Sequence, residues 1–311
     1  MVRRARQYLA YRRGLGFELG STEYVLLDFA RFADEVQPGR RLTNDLALRW
    51  ASRSDRFSLR YRAARLSIVR GFARFLVAQG GDGEVPDMRL LANGFRRGQP
   101  HIYTEHQVGE LLKAAAALRP VYALRPHVYQ VLFGLLASTG LRVSEALALR
   151  RQDADLTRGV LRINQTKCRK SRLVPIHRTV VQQLRRFCKL RDRDPDVRAS
   201  EWFFVGRHGE RLPYSTVRST FRRLGEQIGW QSNGTLPRPR IHDLRHTFAC
   251  RRLLEWYRDG VDVDHAIASL STYLGHGKVT DTYWYLSANG SLLGVANERF
   301  EQFASRRSGE R

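Results

Sequence analysis

Apolar residues in this chain recur mostly at steps of three and four, and only two short stretches alternate as strands do. That pattern constrains the fold more than any other sequence feature. From Thr22 to Val36 the positions Val25, Phe29, Phe32 and Val36 make one helix face. Thr43 is placed to cap a helix through Leu46 and Trp50. Ser58 is placed to cap another carrying Tyr61, Ile68, Phe72 and Phe75, which Gly80 and Gly81 end. Thr104-Glu105-His106-Gln107 reads as a capping box ahead of Val108, Leu111 and Leu112. Helices are expected near 126–138, 179–191 and 215–228, and from Phe248 through Leu253 to Trp256. A last amphipathic helix is expected over 291–304. The two strand-like runs are Val160–Asn164 and Arg172–Ile176, joined by the basic hairpin loop Gln165–Ser171. The expected class is mostly α with a small β-hairpin or sheet (α+β).

The 311 residues allow two domains at roughly 150 residues each. The boundary is expected where Gly, Pro and Arg alternate without apolar period. Residues 1–88 then form a helical domain, 89–103 a linker and 104–311 a second domain. At 42% hydrophobic residues the chain can build a real core. Its 54 Lys and Arg against 30 Asp and Glu give a net charge of +24, spread along the sequence rather than held in a tail. Such a surface favours a polyanion, nucleic acid before an acidic membrane. The helix after Ser58 carries Arg60, Arg62, Arg65, Arg70 and Arg74, a face suited either to solvent or to phosphates.

No apolar segment follows the basic Val2–Arg6, and the longest apolar run, about Val131–Ala137, is far short of a membrane span. The three cysteines, Cys168, Cys188 and Cys250, suggest neither a disulfide framework nor a zinc pattern. A cytoplasmic protein is expected, with no membrane partner.

The stretch Ile241-His242-Asp243-Leu244-Arg245-His246-Thr247 concentrates the chemistry. It could be a metal site, a phosphate clamp or a polar helix start. His242 and His246 share a helix face, but the glutamate that follows the first histidine in zinc proteases is missing and Arg245 is adjacent. A phosphate clamp fits better. Arg142 and Arg245 each lie at a turn before or within a helix start, where guanidinium forks can hold a pentavalent phosphorus. Lys167 on the hairpin could protonate a leaving oxygen, His242 and His276 could donate hydrogen bonds or move a proton, and Tyr285 could act as nucleophile.

In chain order the sequence contains TGLRVSEAL (139–147), TKCRKSRLVPI (166–176), HDLRH (242–246), LGH (274–276) and TYWYL (282–286). This series resembles the tyrosine recombinase (phage integrase) family, with the motifs inside a catalytic domain of about 104–304. The N-terminal part is similar to that family's core-binding (SAM-like) domain in length, helicity and basicity. The resemblance implies a two-domain, C-shaped DNA clamp and the catalytic set Arg142, Lys167, His242, Arg245, His276 and Tyr285. Glu145 would support Arg142, and Lys170 and Tyr283 are neighbouring rivals of Lys167 and Tyr285. His246 would be structural, buried away from the others.

The same resemblance implies site-specific cleavage and rejoining of double-stranded DNA, serving integration, excision or transposition of a mobile element. The route would be a 3′-phosphotyrosyl intermediate, with no cofactor and no metal. It implies four protomers on DNA, with a monomer compatible with the free state, and a C-terminal helix docked on a neighbour. Two other readings of the same residues are a type IB topoisomerase-like nicking–closing enzyme and a non-catalytic DNA-binding protein.

Overall fold

The computed structural model describes residues 1–39, 41–87, 89–91, 99–119, 122–164, 171–230 and 238–287. The chain divides into two units, Met1–Gly98 and Gln99–Arg311. The expected linker falls partly, and the expected helix over 291–304 wholly, outside the described residues. Among those residues the fold is mostly helical with one small antiparallel sheet.

The first unit packs α1 (Val2–Gly14), α2 (Gly20–Val36), α3 (Asn44–Ala51) and α4 (Leu59–Ala78) around Leu9, Leu26, Phe29, Trp50, Val69 and Phe72. Both expected caps form. Thr43 Oγ1 accepts the Leu46 N–H at 3.3 Å, and Ser58 Oγ accepts the Tyr61 N–H at 3.2 Å. The buried face of α2 is rotated from the expected one: Leu26, Ala30 and Ala33 join Val25 and Phe29 inside, while Val36 is exposed. Small alanines let α2 approach its neighbours, so burial follows contact rather than side-chain size.

The arginine face of α4 also departs from expectation. Arg65 is 3% exposed; its guanidinium carbon lies 3.7 Å from the Trp50 ring centre, and it donates to the Trp50 carbonyl at 3.2 Å. Arg62 donates to the Phe57 and Ser54 carbonyls, and Arg70 to those of Pro86 and Asp87. Arg62, Arg65 and Arg70 therefore help hold this unit together, and Arg60 and Arg74 are the more exposed ones. Guanidinium donors can tie down carbonyls that no helix or strand satisfies, which charge patterning alone does not reveal.

In the second unit the Thr104 capping box forms, with reciprocal bonds to Gln107 of 3.1 and 3.0 Å, and starts α5 (Glu105–Ala116). The next helix, α6 (Arg125–Thr139), is the axis of this unit. It buries Val128, Tyr129, Leu132, Phe133, Leu135 and Leu136, apolar on more than one side, as a helix flanked by neighbours must be. Each large side chain so buried contributes roughly 1.5–3 kcal/mol. Gly140, at φ +63°, ends α6 in the left-handed region, and the five-residue α7 (Val143–Leu147) follows at once.

The sheet runs β1 (Ala154–Asp155), β2 (Val160–Ile163), β3 (Arg172–Pro175), antiparallel throughout, with Leu161 opposite Val174 and Ile163 opposite Arg172. Leu161, Ile163 and Val174 are buried, while Leu173 is 63% exposed. The strand period of two therefore sends Arg172 to the same inward face as Val174.

The chain continues through α8 (Arg178–Arg191), α9 (Tyr214–Gln227), α10 (Asp243–Arg258), α11 (Val263–Leu274) and α12 (Thr280–Ser287). No helix is expected from the sequence over most of α11, yet Asp262 caps it and Val263, Ile267, Leu270 and Leu274 are buried on one face. Its last turn is rich in Ser, Thr and Tyr, whose weak helix propensity is overridden by that packing. Helices α10, α11 and α12 share a separate small core of Ala249, Cys250, Leu253, Ile267, Leu270 and Tyr285. No described helix is long and apolar enough to cross a membrane.

Candidate active site

The last carbonyls of any α-helix have no partner within it and carry the negative end of its dipole. At the C-terminus of α11, Gly275 takes the left-handed conformation (φ +69°), and three successive carbonyls turn outward. Each is met by a different arginine. Arg172 Nε donates to Tyr273 O at 2.7 Å, Arg245 Nη2 to Leu274 O at 2.7 Å, and Arg142 Nη2 to Gly275 O at 2.8 Å. These arginines come from β3, α10 and the turn before α7. His276 follows the three carbonyls directly.

Two further anchors fix the guanidinium groups. Arg245 Nη1 donates to Gly140 O at 2.8 Å, so this one side chain joins the C-terminal ends of α6 and α11. Glu145, 7% exposed, accepts from Arg142 Nη1 at 2.8 Å and from the Arg142 backbone N–H at 3.0 Å. The same carboxylate receives the Arg172 fork at 3.0 and 2.8 Å. Burial alone would raise the Glu145 carboxyl, but the hydrogen bonds and charge of Arg172 and the bonds from Arg142 hold it below its ordinary value. Burial, then the neighbouring charge of Arg142, pushes Arg245 down to about 10, which leaves it cationic at neutral pH.

The histidines lie beside this cluster. His242, at the N-terminus of α10, keeps substantial exposed surface. Protein packed around its ring, then the charge of Arg245, pushes it below its ordinary value; Asp243 acts the other way, and Arg240 and Arg142 add to the downward shift. Asp243 is itself buried and bound by Arg240, whose backbone N–H and Nη2 donate at 2.8 and 2.9 Å. Thr247 Oγ1 accepts the Tyr103 N–H at 2.9 Å, so the first turns of α10 are pinned to the segment before α5. His276 Nδ1 lies 2.7 Å from Oγ1 of the fully buried Thr282, which orients the imidazole from α12.

Tyr285 is 2% exposed, its ring nearly parallel to His276 at 6.0 Å between centres, whereas Tyr283 is 43% exposed. His246 is buried as expected but does not lie away from the other site residues. Its ring centre is 4.8 Å from that of His242 and 5.4 Å from that of Tyr285. Residues four apart share a helix face, so His242 directs the next turn towards the same space that α12 fills.

The structure thus gathers Arg142, His242, Arg245, His276 and Tyr285 from widely separated positions. Lys167 and its rival Lys170 lie outside the described residues. Sequence reasoning missed Arg172; the available signal was a charged residue at an inward strand position two before Val174. Among the described residues no three or more His, Cys, Asp or Glu side chains are grouped as a metal site would need.

Comparison with known proteins identifies the framework. Residues 102–291 match the phage integrase family. The chain belongs to that family. It is 39% identical over 300 residues to the Sinorhizobium fredii protein y4rB, described as an integrase/recombinase, covering 95% of each chain. It is 30% identical over 228 residues to the tyrosine recombinase XerC of Chlamydia trachomatis serovar D, covering 73% of this chain and 67% of the relative. Among solved structures, the Tn1549 transposon integrase in complex with transposon right end DNA shares the fold. Its TM-score is 0.69 at 18% identity, covering 97% of this chain and 99% of that one. This phage integrase family member is a tyrosine recombinase, an enzyme of site-specific recombination.

Proposed function

We propose that the chain cuts and rejoins double-stranded DNA at a specific site, with Tyr285 as nucleophile. The observation that carries this reading is the row of arginines on the α11 carbonyls beside His276 and Tyr285. Two guanidinium groups, each oriented by a carbonyl, form a rigid cationic seat for a phosphodiester. Two of the five N–H donors of Arg142 and two of Arg245 are spent on these anchors, and the remainder can face non-bridging oxygens.

In the reaction the Tyr285 oxygen attacks phosphorus and the bond to the 5′-oxygen breaks. Lys167, assigned by its place in the hairpin motif, gives the departing 5′-hydroxyl its proton. His242, whose environment favours the neutral ring, accepts the phenol proton, while Arg142, Arg245 and His276 hold the growing charge. Because Tyr285 is buried, α12 must present its hydroxyl to the phosphate. The 3′-phosphotyrosyl bond conserves the energy of the broken linkage, and a 5′-hydroxyl of a partner strand reverses the step without hydrolysis or a nucleotide cofactor.

Residues 1–88 serve as a core-binding DNA domain and 104–311 as the catalytic domain, the net charge of +24 favouring duplex DNA for both. Four protomers assemble on two duplexes. The structure of the related XerH recombinase bound to palindromic difH substrate fits this reading of the partner.

The test is covalent capture. The full chain is incubated with a pool of nicked duplexes of randomised sequence, denatured, and the protein-linked strands recovered and sequenced. An adduct on a 3′-phosphate, lost in Tyr285→Phe and kept in Tyr283→Phe, is expected. An adduct that survives Tyr285→Phe and disappears in Tyr283→Phe moves the nucleophile. Sequence-specific binding without any adduct refutes the enzyme, and supercoil relaxation by a monomer without exchange between duplexes identifies a nicking–closing enzyme instead.

A further inference from the structure

We propose that Arg172 is a positioning residue of the cleavage reaction, aiming the Arg142 guanidinium through Glu145 and holding the turn that carries His276 through the Tyr273 carbonyl. The inference rests on the reading above that Arg142 seats the scissile phosphate.

The geometry separates Arg172 from an ordinary ion pair. Its two terminal nitrogens fork onto both oxygens of Glu145, and its Nε reaches a backbone carbonyl on another element. All three attachment points of the guanidinium plane are therefore held, which fixes its position and its tilt. Glu145 passes this on. Each of its oxygens also accepts one bond from Arg142, Oε1 from the side chain and Oε2 from the backbone. The carboxylate, 7% exposed, cannot turn to follow Arg142 without breaking the Arg172 fork.

Gly275 completes the arrangement. A Cβ there would lie 2.6 Å from Arg172 Nη1, so the residue whose carbonyl holds Arg142 is also the residue whose missing side chain admits Arg172. A buried ion pair is by itself weak support for stability, and one arginine suffices to neutralise one carboxylate. The second arginine adds direction, because a fork is rigid where a single ammonium bond swivels. Arg172 also opens β3, so this anchor joins the sheet to the carbonyl row.

The test uses the full chain in four forms: wild type, Arg172→Lys, Arg142→Lys and the double variant. Adduct formation on a captured duplex is timed at saturating and at limiting DNA. Arg172→Lys keeps the charge and loses the fork. It is expected to slow cleavage at saturation by roughly 100-fold, the effect of a displacement on the order of 1 Å at a reacting group, with DNA affinity little changed. In the Arg142→Lys background the same change is expected to cost only a few-fold, because the group it aims is already gone.

Wild-type cleavage rates in Arg172→Lys, or losses that multiply in full in the double variant, would overturn the proposal. A second readout does not depend on catalysis. Nε–Hε NMR of labelled arginine, with the Arg142 signal assigned by its loss in Arg142→Lys, should show that group rigid in wild type and mobile in Arg172→Lys. An unchanged Arg142 signal overturns the inference even if no duplex is cleaved; absence of wild-type adduct with the NMR change present counts against the proposed function alone.

Discussion

Gly140 is the position where backbone conformation and the site's electrostatics meet most directly, and Gly140→Ala tests that junction. Gly140 sits at φ +63°, where an L-residue costs roughly 1–2 kcal/mol. An added Cβ would also lie 2.6 Å from Cδ1 of Phe248 and 3.1 Å from Cδ2 of Leu274. Phe248 stacks on Tyr273 at 5.6 Å and cannot simply rotate away, so overpacking adds about 1–3 kcal/mol. The expected total is about 2–5 kcal/mol. Gly229 is the matched control. It has φ +82° and, among the described residues, nothing within 4 Å of the new Cβ, so Gly229→Ala should carry the backbone cost alone.

The gap between the two variants, about 1–3 kcal/mol, corresponds to roughly 2–12 °C in Tm for a unit of this size. Thermal unfolding followed by circular dichroism reads it directly, and shortening Phe248 to Leu in the Gly140→Ala background should recover part of the loss. Equal destabilisation by Gly140→Ala and Gly229→Ala would refute the steric account. So would a Gly140→Ala chain that melts with wild type. Because Gly140 O holds Arg245 Nη1, Gly140→Ala should also slow adduct formation, and Gly229→Ala should not.

The remaining predictions concern charge. Glu145 is held below its ordinary carboxyl value of 4.5, so its contribution to stability is complete above that pH and is lost as pH falls through the lower folded value; urea unfolding of Glu145→Gln should lack this acid-side decline. His242 is likewise depressed below 6.5, so the folded chain resists its protonation, and stability should fall as pH drops below that value; in His242→Asn unfolding curves the corresponding loss should be absent. Arg65→Ala should destabilise the first unit by about 1–3 kcal/mol through loss of its buried contacts with the Trp50 ring and carbonyl, while Arg74→Ala stays within about 0.5 kcal/mol; comparable unfolding midpoints for the two would show that Arg65 is not structural.

Sequence by itself determined whatever depends on near neighbours. The caps at Thr43, Ser58 and Thr104 form because a side-chain oxygen needs only the N–H groups two or three residues ahead of it. The strand-like runs around Leu161 and Val174, the turn at Arg142 and the order of the motifs were legible for the same reason. The motifs also named Arg142, His242, Arg245, His276 and Tyr285 as a set. Which of the α4 arginines face solvent was not legible, since Arg65 differs from Arg74 only in what the rest of the first unit places beside it.

Only the tertiary structure decided how the set is held. The three carbonyls at the end of α11 are chemically anonymous in a sequence, and they become a site because β3, the turn before α7 and α10 converge on them. Arg172 reads as one more basic residue of a basic hairpin until the sheet turns it inward onto Glu145. His246 likewise reads as a residue apart until α12 packs its Tyr285 ring against it. The physical reason is common to all three. A backbone carbonyl left over at a helix end, or a ring packed across helices, acquires its partner from chain folding rather than from spacing.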